Sequence, residues 1–384
     1  MTPPIAIVGG GPIGLACALL LDARGIAVRV LDARTLAAAQ RDARVLACSR
    51  GSWSILEPLL GGIALRRADI TDVFVSSAGE FGVTHLPSDG APLGATVCYG
   101  ELVTALSRAA ERAGILVERD AKVADIAQHT TAVTLRTATG SIEAPMAVVA
   151  EGQPGVADAR AASHPPDDDA WALVASVEVH GPAPGAAFER FTREGPLALL
   201  PAPADDDGHS MSLVWCMGGA MSERRLALDD AGCVKELQGA LGSRIGRVTA
   251  LGPRSRFRLA QSVDKSIHRN RVVRLGNAAQ TLHPVAGQGF NLGLRDCMVL
   301  ADALARHSRG ADTAWIEPAL ADYAARRAPD RRAIASLTAA LPGVFASRFV
   351  PLALARSAGL VALNLVPAMR NQLAHLLMFG VRGI

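Results

Sequence analysis

Residues Gly9-Gly10-Gly11-Pro12-Ile13-Gly14 follow the apolar run Ile5-Ala6-Ile7-Val8 and lead into an Ala/Leu-rich helical pattern that reaches about Arg24. A second strand pattern, Ala27 to Leu31, ends at Asp32, 18 positions after Gly14. Strand, GxGxxG, helix, strand and acid in that order form a dinucleotide-binding pattern, whose acid is expected about 20 residues on. The roles divide by physics. Gly9 makes the tight turn, Gly11 lets backbone approach a pyrophosphate, Gly14 lets helix pack on strand, and Asp32 can accept from ribose hydroxyls. The pattern alone does not choose between FAD and NAD.

A second stretch runs from Gly276 to Asp296, reading GNAAQTLHPVAGQGFNLGLRD, between the strand-like Val272-Val273-Arg274-Leu275 and the helical Cys297 to Leu304. Pro284, Gly287 and Gly289 let backbone pass close to a bulky partner. A helix beginning just after Gly289 would aim unpaired N–H groups and partial positive charge at that partner. An electron-rich ring that becomes anionic on reduction, such as a flavin, suits that charge.

The full string resembles the second flavin-binding motif of the single-component FAD aromatic hydroxylases, the para-hydroxybenzoate-hydroxylase-like flavin monooxygenases. Its wording is most similar to the branch that hydroxylates ubiquinone precursors, the polyprenyl-methoxyphenol hydroxylases among them. Phe188 to Thr192, Gly195 to Pro201, Ser212 to Cys216 and Glu236 to Gln238 carry the same resemblance, which covers nearly the whole chain. It implies FAD as cofactor and NAD(P)H as a transient co-substrate, since no second GxGxxG is present. It further implies O2 activation through a flavin C4a-hydroperoxide and hydroxylation of a polyprenylated phenol ring.

The implied ligands are Gly9, Gly11, Gly14, Asp32, Arg44, Val123 (through its backbone), Asn277, Gly287, Gly289, Phe290 and Asn291. Asn277 stands where the wider family has an Asp on the ribityl chain, as is common in the ubiquinone branch. Pro284, Gly287, Gln288 and Gly289 would flank the reactive ring, with N–H groups from Gly289 to Asn291 on its anionic edge. No catalytic base is nominated; His283 reads as a loop-structuring residue. The clearest departure is at Glu151-Gly152, where the family has Asp-Gly, with Gly155 where it has Ser. That places nicotinamide use in question and keeps two other readings open. One is another flavoprotein of this fold, such as a different phenol hydroxylase or a prenyl reductase. The other is an FAD-binding scaffold of a quinone-biosynthesis assembly. A halogenase reading is weakened because Trp53, Trp171, Trp215 and Trp315 are isolated.

These motifs need a frame that positions them. With 384 residues, half of them hydrophobic and a fifth charged, the chain can bury a large core and is not disordered. A net charge of +3 does not argue for nucleic acid. The uncharged stretch before Asp22 lacks a basic start and is broken by three glycines, so it reads as strand and loop rather than as a signal peptide. Six scattered cysteines without CxxC spacing argue against a zinc site or a disulfide framework, and fit a reducing cytoplasm.

The expected fold is α/β: a Rossmann-like FAD-binding domain (1–72, 97–160, 265–337), an inserted, mainly antiparallel β-sheet substrate domain (73–96, 161–264) and C-terminal helices (338–384). From Arg331 to Ile384 there are six arginines and no Asp or Glu, among clusters of Leu, Val and Met. That tail reads either as a docking helix pair or as a basic, apolar surface. The surface would meet an anionic membrane at its inner face, or other ubiquinone-biosynthesis proteins.

Overall fold

The computed structural model describes residues 3–152, 169–203, 209–259, 262–263, 266–282, 287–308, 313–346 and 350–380. At its centre lies a six-stranded sheet in the order His268–Arg269, Val272–Arg274, Ala147–Val149, Ile5–Val8, Val28–Asp32, Leu116–Arg119. All neighbours run parallel except the first, antiparallel edge pair. Ile5 to Val8 are buried on both faces, which is why the strand reads as an unbroken apolar run rather than an alternating one. Leu15, Leu21, Leu102, Leu106, Leu294 and Leu304, from three helices, belong to the cluster on one face. The antiparallel strands Val123–Gln128, Val133–Thr137 and Gly140–Ala144 close the other, over Ala6, Val8, Leu31 and Val149.

The apolar pattern over 142–149 predicts one strand, and the structure makes two. Gly140–Ala144 pairs within the small antiparallel sheet and Ala147–Val149 within the central one. Pro145, which has no N–H to give a ladder, stands between them.

A second sheet runs in the order Arg247–Leu251, Ala170–His180, Ser210–Gly218, Pro196–Pro201, Ala186–Phe191, Asp72–Ser77, Val83–Pro87, and Ser255–Arg258 also pairs with Ala170–His180. It is antiparallel save for Ala186–Phe191 beside Asp72–Ser77. Leu173, Val177, Leu199, Leu213 and Trp215 alternate along its strands and pack on Cys233, Leu237 and Leu241. Those three lie on the helix Asp230–Leu241, whose first turn is capped by the Asp229 carboxylate accepting from Gly232 N at 2.8 Å. A three-stranded antiparallel sheet, Val45–Ser49, Gly94–Cys98 and Arg67–Ile70, bridges the two large sheets. Its Thr96 hydroxyl donates to the Pro201 carbonyl at 2.6 Å.

The helix Ile316–Ala346 runs through residue 338, where a separate tail was expected to begin. Val350–Leu365 and Pro367–Phe379 then fold back as a helix pair. Thr84 Oγ1 donates to the Leu360 carbonyl at 2.8 Å, His85 N to Asn364 Oδ1 at 2.9 Å, and Ser49 Oγ to the Met378 carbonyl at 2.9 Å. The pair therefore lies across the edge of the second sheet and the bridging sheet. Among the described residues, no helix is long and apolar enough to cross a membrane.

Candidate functional site

Two helix N-termini meet above the central sheet. The first begins at Pro12 with Gly11 as N-cap, no side-chain cap and no acid in its first turn. Its N–H groups therefore remain available to a ligand. Packing explains two of its glycines. A Cβ on Gly14 would lie 1.8 Å from the Gly9 carbonyl oxygen, and one on Gly9 (φ +108°) would lie 2.8 Å from the Ala150 carbonyl. Gly11 differs: the nearest atoms to a Cβ there are Tyr99 Oη at 3.0 Å and Arg34 Nη2 at 3.8 Å. Arg34 Nη2 donates to Tyr99 Oη at 2.8 Å, and the Arg44 guanidinium carbon stands 4.9 Å from the Tyr99 ring centroid. Two cations beside an uncapped helix start make a setting for a pyrophosphate.

Arg44 Nε and Nη2 donate to the two Asp42 carboxylate oxygens at 2.8 and 2.6 Å. That hydrogen bond raises the Arg44 pKa above its ordinary value despite partial burial. Burial works against the Asp42 carboxylate, but Arg44 outweighs it and lowers the Asp42 pKa below the usual range. Asp32 is buried, not poised in solvent. Its Oδ2 pairs with Arg119 Nη1 and its Oδ1 accepts from Arg34 N at 3.3 Å. Arg119 also donates to the Gly10 carbonyl at 3.1 Å and to Ser107 Oγ at 2.7 Å, holding the glycine loop on the strand end. The Val123 side chain is core, packed with Leu31 and Val149.

The second helix is Gln288–His307, with Gly287 as N-cap at φ +58°, so it starts ahead of the position expected just after Gly289. Asn291 accounts for this. Its Nδ2 donates to the Gly287 and Ala47 carbonyls at 2.9 and 3.1 Å, and its Oδ1 accepts from Ser49 N at 2.8 Å. The side chain thereby draws Gly287 into the first turn and ties the helix to the strand Val45–Ser49. The Asn291 side chain is thus an anchor, and its backbone N–H falls within the helix ladder, so the unpaired N–H groups of this helix start end at Phe290. Gly293 packs on Ile13, where a Cβ would meet Cδ1 at 2.8 Å. At Gly289, by contrast, a Cβ would meet none of the described residues within 4 Å. Phe290 packs part-buried on the core beside the first helix. Buried Gln288 follows Gly287, and Asn277 is exposed in the 3-10 turn Gly276–Ala278. Gly152 has open space beside it, and Ala150 N donates to the Val8 carbonyl at 2.8 Å, placing Glu151 at the mouth of the first loop. Pro284, His283 and Gly155 lie outside the described residues.

A buried polar network supports the second helix. Asp296 Oδ1 accepts from Arg327 Nε at 2.5 Å and its Oδ2 from Gln280 Nε2 at 3.0 Å. Arg295 Nε and Arg327 Nη2 reach Asp330 Oδ2 at 3.0 and 2.8 Å, and Arg331 donates to Gln280 Oε1. The terminal Leu-Arg-Asp of the sequence motif is thus a bolt to the helix Ile316–Ala346 and does not face the site.

The arrangement fits a flavin dinucleotide. Both helix starts lack side-chain caps and first-turn acids. One is flanked by Arg34 and Arg44, and the other carries a glycine that no atom of the described residues crowds. Local spacing flags neither Arg34 nor Tyr99. The local signals were a basic residue two positions past the strand-end acid and a Tyr opening the Tyr99–Arg112 helix, where Tyr99-Gly100-Glu101 loosely resembles a flavin-side region of the family. Glu101 is in the first turn of that helix and pairs with Arg66.

The family model described as FAD binding domain matches residues 2–338. A ubiquinone hydroxylase, UbiL, of Rhodospirillum rubrum is 37% identical over 193 residues, covering 50% of this chain and 44% of that protein. The 3-demethoxyubiquinol 3-hydroxylase of Escherichia coli is 30% identical over 205 residues, 52% of this chain and 50% of that one. The chain spans about half the length of the curated relatives it matches. In fold it is similar to p-nitrophenol 4-monooxygenase PnpA of Pseudomonas putida DLL-E4, with TM-score 0.75, 18% identity, and coverage of 100% of this chain and 99% of that one.

Proposed function

The chain belongs to the FAD-binding-domain family, and from that premise we propose that it is an FAD-dependent aromatic-ring monooxygenase of ubiquinone biosynthesis. Its substrate is a polyprenylated phenol, with NAD(P)H and O2 as co-substrates. The observation that carries the reading is the convergence of two uncapped helix starts, one beside Arg34 and Arg44 and one at the uncrowded Gly289. The names of the sequence relatives supply the substrate class.

When bound, reduced FAD activates O2 for transfer of one oxygen atom to an electron-rich ring. The chain's own residues bind, orient and exclude water. The Pro12–Asp22 helix start, with Arg34 and Arg44, holds the pyrophosphate, and Gly11 lets backbone come close to it. Asp32 and the Val123 backbone serve the adenosine end, while Asn277 serves the ribityl chain. Backbone N–H groups at Gly289 and Phe290, fixed by the Asn291 anchor, stabilise negative charge on the ring edge without having to reorganise. Pro284, Gly287, Gln288 and Gly289 are assigned to the ring side. The segments 73–96 and 161–264 receive the phenol, whose tail brings the protein to a membrane and to other quinone-biosynthesis proteins.

The test is the purified chain, its flavin spectrum and NAD(P)H oxidation with a panel of prenylated phenols. Bound FAD, phenol-stimulated oxidation and a hydroxylated product are the expected result. FAD binding with NAD(P)H oxidation that no phenol stimulates would favour the scaffold reading, to which Glu151 in place of the family's Asp lends its only support.

A further inference from the structure

The C-terminal helix pair divides its residues between two sides. Ser357 and Leu360 are buried against the second sheet, and Asn364 hydrogen-bonds to the strand there, its Nδ2 reaching the Val83 carbonyl at 2.5 Å and its Oδ1 accepting from His85 N. Turned away from that contact are Leu354 at 57% exposure, Leu365 at 75%, Val366 at 41% and Met369 at 52%. Gly82 touches Ser357 so closely that a Cβ would lie 2.7 Å from its carbonyl oxygen. The neighbouring Phe81, 65% exposed, therefore stands beside the same helix. These are five of the eight large hydrophobic side chains most exposed among the described residues. The last helix, Pro367–Phe379, fully buries none of its residues; its apolar Leu373, Leu376, Leu377, Met378 and Phe379 are half-buried.

Leu354, Leu365, Val366 and Met369 on one helix pair, with Phe81 beside them, form an exposed apolar patch that needs a partner, and charge selects which. The chain carries 39 Lys and Arg against 36 Asp and Glu, while 331–384 contains six arginines and no acid. The excess positive charge of the whole molecule thus belongs to this segment, and the remainder is net negative. Exposed apolar side chains on an acid-free pair of helices too short to span match the inner face of an anionic bilayer, with the neighbouring carboxylate of Glu80 engaged by Ser357 Oγ at 3.2 Å. A second copy of the chain would bring like charge against like.

We propose that Leu354, Leu365, Val366, Met369 and Phe81 form a surface that inserts shallowly into an anionic lipid bilayer, with the helix pair lying in the interface plane. The pair reaches from that surface to the site, because the Met378 carbonyl accepts from Ser49 Oγ and Ser49 N is held by Asn291. The inference rests on the proposed function only for its purpose, the delivery of a prenylated ring from the membrane. Its physical basis is exposure and charge.

The experiment is co-sedimentation of the full-length FAD-loaded protein with vesicles of phosphatidylcholine alone and of phosphatidylcholine carrying phosphatidylglycerol. The expected result is binding to the anionic vesicles, weakened by salt. The double variant Leu365→Glu, Met369→Glu should lose at least tenfold in affinity while keeping its flavin spectrum and melting temperature. Wild-type protein that stays in the supernatant with anionic vesicles would overturn the proposal. So would binding that the double variant leaves unchanged, or a dimer in light scattering that the double variant dissolves. Vesicle binding by a protein that hydroxylates no phenol would leave this surface standing and remove the proposed activity. Hydroxylation without vesicle binding would do the reverse.

Discussion

The two glycine-rich helix starts look alike in sequence and differ in what their glycines answer to. In the first, Gly9 and Gly14 are dictated by the protein itself, with hypothetical Cβ contacts of 2.8 and 1.8 Å to backbone. In the second, Gly293 is dictated the same way by Ile13, but Gly289 faces open space. A glycine that no neighbour requires costs helix stability, about 1 kcal/mol relative to alanine. Its presence in a first turn therefore speaks for something outside the chain. The contrast separates residues that build the frame from residues that meet the ligand.

The largest expected effect lies on the frame side. Gly14→Val forces backbone apart and should cost more than about 3 kcal/mol, giving insoluble or flavin-free protein in an expression and absorbance assay. Asp296→Ala leaves the buried Arg295 and Arg327 guanidiniums sharing the single carboxylate of Asp330 and takes the acceptor from Gln280 Nε2. Urea unfolding should show a loss of about 3–5 kcal/mol. Asn291→Ala sits between the classes. Three hydrogen bonds that define the second helix start disappear, for about 1–3 kcal/mol of stability, and flavin affinity falls with it. Gly289→Ala should break the pattern in the opposite sense, with stability equal to or above the parent and FAD binding weakened about tenfold, or about 1.4 kcal/mol. A Gly289→Ala protein that binds FAD as well as the parent would collapse the distinction between the two helix starts.

The smallest effect is electrostatic. The folded-state Asp42 pKa lies below the ordinary carboxylate value. Its contribution is therefore fully present above that value and disappears as pH falls through the depressed one. Asp42→Asn should flatten that acid limb in a pH series of unfolding midpoints and leave neutral pH little changed.

Legibility followed the range of the interaction. The strands, the helix starts and the glycine positions rest on constraints within a few residues, and the pattern shows them. What Asp32 does could not be read that way, because its partner Arg119 lies 87 positions on. The same holds for Asn291, whose side chain reaches back to Ala47 and Ser49. In the motif string Asn291 looks like a ligand, yet the tertiary partners that make its side chain an anchor leave no local mark. The tail was open between two readings for a related cause. Composition shows an apolar, acid-free segment, but only Thr84, His85 and Ser49 show which of its sides is docked.

The strand order has a consequence for how this protein is made. Ile5–Val8 is flanked by Val28–Asp32 and Ala147–Val149, and beyond the latter by Val272–Arg274. The last of these is followed by the second half of the site. At roughly 5–20 residues per second, a ribosome would complete that half on the order of a quarter of a minute to a minute after the first. Throughout that interval the nascent chain carries an unfinished sheet edge and half of a ligand cradle. Cofactor loading is therefore a late event of biosynthesis.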